Sequence, residues 1–342
     1  MSTITDVARV AGVSVATVSR ALRGLDRVSP ATRRRVLEVA EELHYVASPT
    51  ATSLASGRTR VVAVVAPFLS RWYFATLVSA IEKELRAHDH HAILFDLEDE
   101  TFDSRLPLTQ NMLWKRVDGV ISLDVAMVPD EVELVDRLGL PLVAIGSPVP
   151  GRPFVGIDDR AAMRTAVEHL VALGHERIGY IGVVPQNVAH VRAPQDRLAS
   201  FLATMDDRGL EVPDGWVLGS DWTADAAARD CADLLSGPDR PTALVAASDE
   251  MAIGVRETAR RLGLDVPRDL SVVGIDDFML SEVLGLTTVR QDVTAQGRAA
   301  AALLLQALGE DPPAAPAELV VPTELVVRES TAAPAAVAPT PL

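Results

Sequence analysis

Cysteine and lysine are almost missing from this chain of 342 residues, and aromatic side chains make up only 4% of it. The single cysteine, Cys231, excludes an internal disulfide and any zinc site made of several thiolates. The two lysines, Lys83 and Lys115, each have a charged neighbour, so neither is a desolvated amine of the kind that serves as nucleophile. Long apolar runs are missing as well. The stretch 61–69 stops at Ser70 and Arg71, short of the roughly 18 residues a membrane helix needs. The start, Met1-Ser2-Thr3-Ile4-Thr5-Asp6, has neither the basic end nor the apolar centre of an export signal, so a cytoplasmic location without membrane attachment is expected. There is no Gly-x-Ser-x-Gly elbow, no Gly-rich loop ending in Lys-Ser or Lys-Thr, and no His-Glu-x-x-His. No enzyme chemistry is expected, and no cofactor is implied.

What is present is an ordinary globular composition, 48% apolar and 23% charged, long enough for two or three domains. The net charge of −15 hides an asymmetry. Residues 1–60 hold nine arginines and five acids, a balance of +4, which leaves −19 on the remainder. A small basic head on an acidic body lets one end approach phosphate while the bulk stays soluble.

The head reads as three short helices. Thr3 and Asp6 have capping-box spacing, and Ile4, Val7, Ala8 and Ala11 form a helical apolar stripe. Gly12 supplies a turn, Ser14 caps a second helix over 15–22, and Ser29-Pro30 starts a third. The buried face of that third helix is expected to be Val36, Leu37, Ala40 and Leu43. Ser48-Pro49 opens another start signal that Gly57 ends; so short a segment is expected to become helical only when something binds it.

From Arg60 onward, β-branched runs at 61–66, 92–97, 119–123, 142–146, 178–183, 243–247 and 272–275 alternate with segments of helical length such as 74–88 and 161–174. That alternation predicts parallel sheets covered by helices, split into two lobes. The Ala/Pro-rich end, from Ser330, is expected to be loose. The acidic run 96–100 reads as a charged loop, and His88-Asp89-His90-His91 as a solvated turn without a fourth metal ligand.

A helix, a glycine turn and a helix starting at Ser14 place Val15, Ala16, Thr17 and Arg20 where base edges can be read. The run from Asp6 to Leu22, Asp-Val-Ala-Arg-Val-Ala-Gly-Val-Ser-Val-Ala-Thr-Val-Ser-Arg-Ala-Leu, closely resembles the headpiece of the LacI/GalR family of bacterial transcription repressors. Val117-Asp118-Gly119, His169 to Ile178, Ser248-Asp249, Ser271 to Asp277 and Thr287 to Gln291 resemble family signatures too, so the similarity covers about residues 3–330. It implies an all-α helix-turn-helix head (1–47), a hinge (48–59), an α/β body of two Rossmann-like lobes of the periplasmic-binding-protein kind (60–330) and a flexible tail (331–342).

The resemblance also implies a homodimer on a palindromic DNA operator, with Thr3, Ser14, Val15, Ala16, Thr17, Ser19 and Arg20 at the DNA and Ala51 and Leu54 in the hinge, Leu54 as a minor-groove wedge. Val15-Ala16 implies a palindrome with a central CpG. Thr52 stands where relatives commonly have Arg. In the cleft it implies a small carbohydrate effector held by Trp72, Tyr73, Phe74, Arg197, Trp222, Ser248 and Asp276. Arg71-Trp72-Tyr73-Phe74 departs from the family's Asn-Pro-Phe-Phe, and Ser200 from its Gly. Two alternatives stay open: a cytoplasmic sugar-binding or sugar-modifying α/β protein with an incidental helical head, and a regulator answering to a protein co-repressor.

Overall fold

A computed structural model describes residues 2–22, 24, 26–45, 57–67, 69–97, 105–183, 192–309 and 317–335. The chain divides into two units, 1–60 and 61–342. Among its described residues the first holds three helices, α1 (Ile4–Ala11), α2 (Val15–Leu22) and α3 (Pro30–Glu42). The capping box forms as its spacing predicts: the Asp6 amide donates to Thr3 Oγ1, and the Thr3 amide donates to the Asp6 carboxylate. Gly12 adopts a φ of +68°, and Ser14 Oγ accepts from the Thr17 amide to start α2.

A small core of Val7, Ala8, Ala11, Val18, Ala21, Val36, Val39 and Ala40 joins the three helices. Leu37, expected in that core, is instead 48% exposed, and Val39 takes its place. A stripe that starts at Val36 continues at i+3 and i+4, and Leu37 lies about 100° round the helix from it. The hinge residues Ala51 and Leu54, and the expectation of folding on binding, lie outside the described residues.

The second unit contains two six-stranded sheets, both with a single switch in strand order. The first runs β11-β5-β4-β3-β1-β2 and is parallel throughout. It comprises β1 (Val61–Ala66), β2 (His91–Asp96), β3 (Gly119–Leu123), β4 (Leu142–Ile145), β5 (Phe154–Gly156) and β11 (Glu318–Val320). The second runs β12-β10-β9-β8-β6-β7, with only β12 antiparallel. Its members are β6 (Ile178–Gly182), β7 (Val217–Gly219), β8 (Ala243–Ala246), β9 (Ser271–Asp276), β10 (Thr287–Gln291) and β12 (Thr323–Val326). In such sheets the strand order reverses between the first and third strands, and the crevice beyond their carboxyl ends is where ligands bind.

The chain passes between the lobes three times: after β5, after β10 and between β11 and β12. Consequently helix α12 (Val293–Ala307), although it follows the second lobe in sequence, packs Val293, Ala300, Ala301 and Leu304 against Leu77, Ile81 and Leu85 of the first-lobe helix α4 (Trp72–Ala87). At one crossing the Val321 amide donates to the Gly156 carbonyl, tying two of the three connections together.

The end of the chain is not loose at Ser330. Its Oγ donates to the Val272 carbonyl and accepts from the Thr287 amide, and the Ala332 carbonyl lies 2.8 Å from the His175 ring. These residues close off the β9 and β10 ends, which is why an Ala/Pro-rich composition does not free them. Among the described residues no helix is long and apolar enough to cross a membrane.

Gly254 fixes the close approach of α11 (Asp249–Arg261) to α9 (Ala224–Asp230): a Cβ there would collide with the Ala224 carbonyl oxygen. That neighbour is backbone and cannot rotate away. Gly254→Ala is therefore expected to lower the stability of the body by about 1–3 kcal/mol through overpacking. Urea unfolding of the full chain checks it, and an unchanged midpoint would show that the two helices slide apart freely.

Candidate functional site

In the head, Ser14, Val15, Ala16 and Arg20 are exposed, and Thr17 and Ser19 are half-buried. Val15 is an apolar side chain at the start of α2 that the head core does not use; it is 42% exposed. Such a side chain can offer only apolar contact to a base, with the thymine methyl as its natural target. The Ser14 and Thr17 hydroxyls lie 2.9 Å apart and cap the helix, while the exposed Thr3 hydroxyl donates to Asp6. Arg20 sits one turn further along the same helix.

In the body, the strand ends of the two lobes line a cleft whose empty space, counted out into its open mouth, is about 770 Å³. Arg71, Tyr73, Phe74 and Asp124 line it from the first lobe; Asp159, Arg197, Trp222, Ser248, Glu250 and Asp276 line it from the second. Arg197 is the best-anchored group. It projects from α8 (Arg192–Asp207), is 5% exposed, and donates through Nε to Asp159 at 2.7 Å and through a terminal nitrogen to the Ala247 carbonyl. Burial opposes its charge, but the charges of Asp159 and Asp276 and the hydrogen bond to Asp159 outweigh this and hold it firmly protonated. The Trp222 ring lies 5.9 Å from the guanidinium, leaving a flat apolar wall beside a fixed donor.

Asp276 closes β9 at an unusual φ of +126°, and Asp124 follows β3 at +51°. Both leave the ordinary β region for conformations that L side chains rarely adopt, the kind of strain that collects where a ligand is held. Asp276 accepts from the Gln291 side-chain amide at 2.6 Å, and Gln291 accepts in turn from Gln296 at 2.9 Å. Gln291 ends β10 and Gln296 belongs to α12, so this chain of amides runs from the cavity across a lobe crossing. Burial pushes the Asp276 carboxyl above the usual range, against the pull of Arg197 and Gln291.

Asp249 has a different task. It is fully buried and accepts from the Phe278 amide, Ser281 Oγ and Thr288 Oγ1 at 2.6–2.8 Å. It thereby anchors the loop that follows Asp276, while its neighbour Ser248 caps α11 by accepting from the Met251 amide.

Of the cleft residues expected from sequence, Tyr73, Phe74, Arg197, Trp222, Ser248 and Asp276 meet in this one cavity. Trp72 does not line it. Three consecutive residues of a helix face about 100° apart, and Trp72 turns to meet Phe278 of the other lobe edge-on, with ring centroids 5.4 Å apart. Beside it Arg71 pairs with Asp221 at 3.1 Å, a second link between the lobes. The sequence reading missed Asp124, Asp159, Glu250, Gln291 and Gln296. The available signal was position: Asp124 directly follows a strand, and Asp159 and Glu250 stand in the first turn of helices that follow strands, where a carboxylate meets free amides.

Asp124 carries a readable proton. Burial raises its pKa to about 6, opposed by the hydroxyl of Ser147, which donates to it at 2.7 Å. The unfolded carboxyl ionises near 4, so the folded chain keeps the proton longer, and stability falls as pH rises from about 4 to 6. Asp124→Asn, which tolerates the same left-handed backbone, removes that loss. It is expected to be more stable than the parent by about 1–3 kcal/mol at pH 7.5 and no more stable at pH 4. Thermal melts of the ligand-free protein across this range check the sign.

Comparison with known proteins agrees with this geometry. Residues 3–48 match the model of bacterial regulatory proteins of the lacI family, and residues 167–331 match a periplasmic binding protein-like domain. Catabolite control protein A of Priestia megaterium is 34% identical over 314 residues, 90% of this chain and 93% of that protein. The HTH-type transcriptional regulator MalR of Streptomyces coelicolor is 36% identical over 96% of both chains. Among solved structures, the lac repressor dimer bound to operator and an anti-inducer matches with a TM-score of 0.85 at 27% identity, covering 97% of this chain and 99% of that one. A complex of the transcriptional regulator CelR with cellobiose matches with a TM-score of 0.70 at 31% identity, covering 96% of this chain and all of the other. The chain belongs to the LacI family of bacterial transcriptional regulators.

Proposed function

We propose that the protein is a dimeric repressor acting in the cytoplasm, whose head reads a palindromic operator and whose cleft takes a small carbohydrate that changes its affinity for DNA. Residues 1–47 serve as the reading head, 48–59 as the hinge and 60–330 as the effector-binding and dimerisation body. The observation that carries the reading is the meeting of Arg197, Trp222 and Asp276 in one cavity between two lobes. A sugar ring has an apolar face for the indole and hydroxyls for the guanidinium and carboxylate. Relatives that hold an operator or cellobiose support both halves of it. Family membership sets aside the enzyme alternative, because the relatives are transcriptional regulators.

A ligand moves the balance between lobe arrangements only by its differential affinity for them, which for such coupling is about 1–3 kcal/mol. Asp276→Asn is expected to bind operator normally and to lose the effector response by at least tenfold, measured by fluorescence anisotropy of a labelled operator. A full response in this variant would remove Asp276 from the site. In the head, Arg20→Ala is expected to cost about 1–3 kcal/mol on the operator and to relax the preference at one symmetric base pair. Equal weakening on operator and random duplex would assign Arg20 to phosphate instead.

A further inference from the structure

The charges in the cleft do not balance. Among the described residues that line it, four carboxyl groups, those of Asp124, Asp159, Glu250 and Asp276, face two guanidinium groups, those of Arg71 and Arg197. Arg197 is bound to Asp159, and Arg71 to Asp221, which lies outside the lining. Among the described residues, Asp124, Glu250 and Asp276 are in no ion pair; Asp124 has one hydroxyl donor, Asp276 has one amide donor, and Glu250 feels Arg71 only through space. Tyr73 lines the same cavity as Asp124, Asp159 and Asp276, and the charges of these carboxyls from both lobes, after burial, raise its hydroxyl's pKa. They do not converge as metal ligands: among the described residues no group of three or more His, Cys, Asp or Glu could hold an ion.

Asp124, Glu250 and Asp276 are half-buried. The hydroxyls of a neutral ligand can donate hydrogen bonds to such carboxylates but leave their charge without a cation as the lobes close, which is costly. An anionic ligand adds repulsion. We propose that the ligand supplies the missing positive charge: the cavity takes an amine-bearing carbohydrate or a polyhydroxylated amine, with the ammonium group against Asp124 and Tyr73, and rejects phosphorylated sugars. Trp222 and Arg197 then hold the ring and its hydroxyls, as in the reading above, on which this inference rests. Burial holds Asp124, Glu250 and Asp276 all above the usual carboxyl range, the state expected of acids waiting for a cation.

Matched sets test it. Glucose, glucosamine and glucose 6-phosphate, the corresponding galactose and mannose sets, and cellobiose against the chitosan disaccharide are titrated calorimetrically into the full-length protein at pH 6.5. The amino member of at least one set is expected to bind tenfold or more tightly than its neutral partner, with no binding of the phosphate. In Asp124→Asn the ratio of amino to neutral affinity is expected to fall toward one, and Glu250→Gln serves as a second variant with the same readout. Neutral members that bind as tightly as their amino partners, or any phosphate that binds, overturn the inference and leave the carbohydrate reading standing. No binding across the whole panel overturns both.

Discussion

A guanidinium with almost no exposed surface organises this cleft. Arg197 reaches Asp159 and the Ala247 carbonyl at once, and through space it steadies Asp276. Removing one partner of a buried pair leaves the other charge stranded, typically at a cost of about 3–5 kcal/mol. The carboxyls of the second lobe are tolerable because Arg197 is there, and Arg197 is tolerable because of them. The group proposed to grip a ligand therefore also holds the strand ends of its lobe in place.

Among the described residues, the first lobe brings one guanidinium to the cavity, that of Arg71. Asp124 rests on a serine hydroxyl, while Arg71 points across to Asp221. Beside the cavity the lobes meet through this ion pair and the edge-on Trp72–Phe278 contact. Exposed or partly exposed ion pairs contribute little individually and weaken with salt. Such an interface can be exchanged for another arrangement at modest free energy, which is what a switch driven by one small ligand requires.

Much of this was legible in the chain because period and punctuation are local. Seven β-branched runs became strands, and the serine, threonine and glycine signals at Thr3, Gly12, Ser14 and Ser29 marked the ends of the head helices. Five of the described strands escaped: β5, β7, β11 and β12, because three or four residues carry too little pattern, and the five-residue β10; the place of all five depends on neighbours distant in sequence. In the cleft, Arg197, Trp222 and Asp276 were visible through resemblance. Asp124 and Glu250 were not, since an acid beside a strand end looks the same whether it faces solvent or a cavity. Leu37 failed for a simpler reason: one step round a helix separates the core from water.

The three passages between lobes have a consequence in time as well as in space. The first sheet has five of its six strands once Gly156 has been made, but its edge strand β11 and its covering helix α12 come only after most of the second lobe. At translation rates of about 5–20 residues per second, the ribosome leaves the apolar face under α4 bare for on the order of 10–30 s. During that interval the nascent first lobe offers an open sheet edge and an uncovered core. The chain's schedule of synthesis, rather than its finished stability, is where this architecture is most exposed to chaperones and to misassembly.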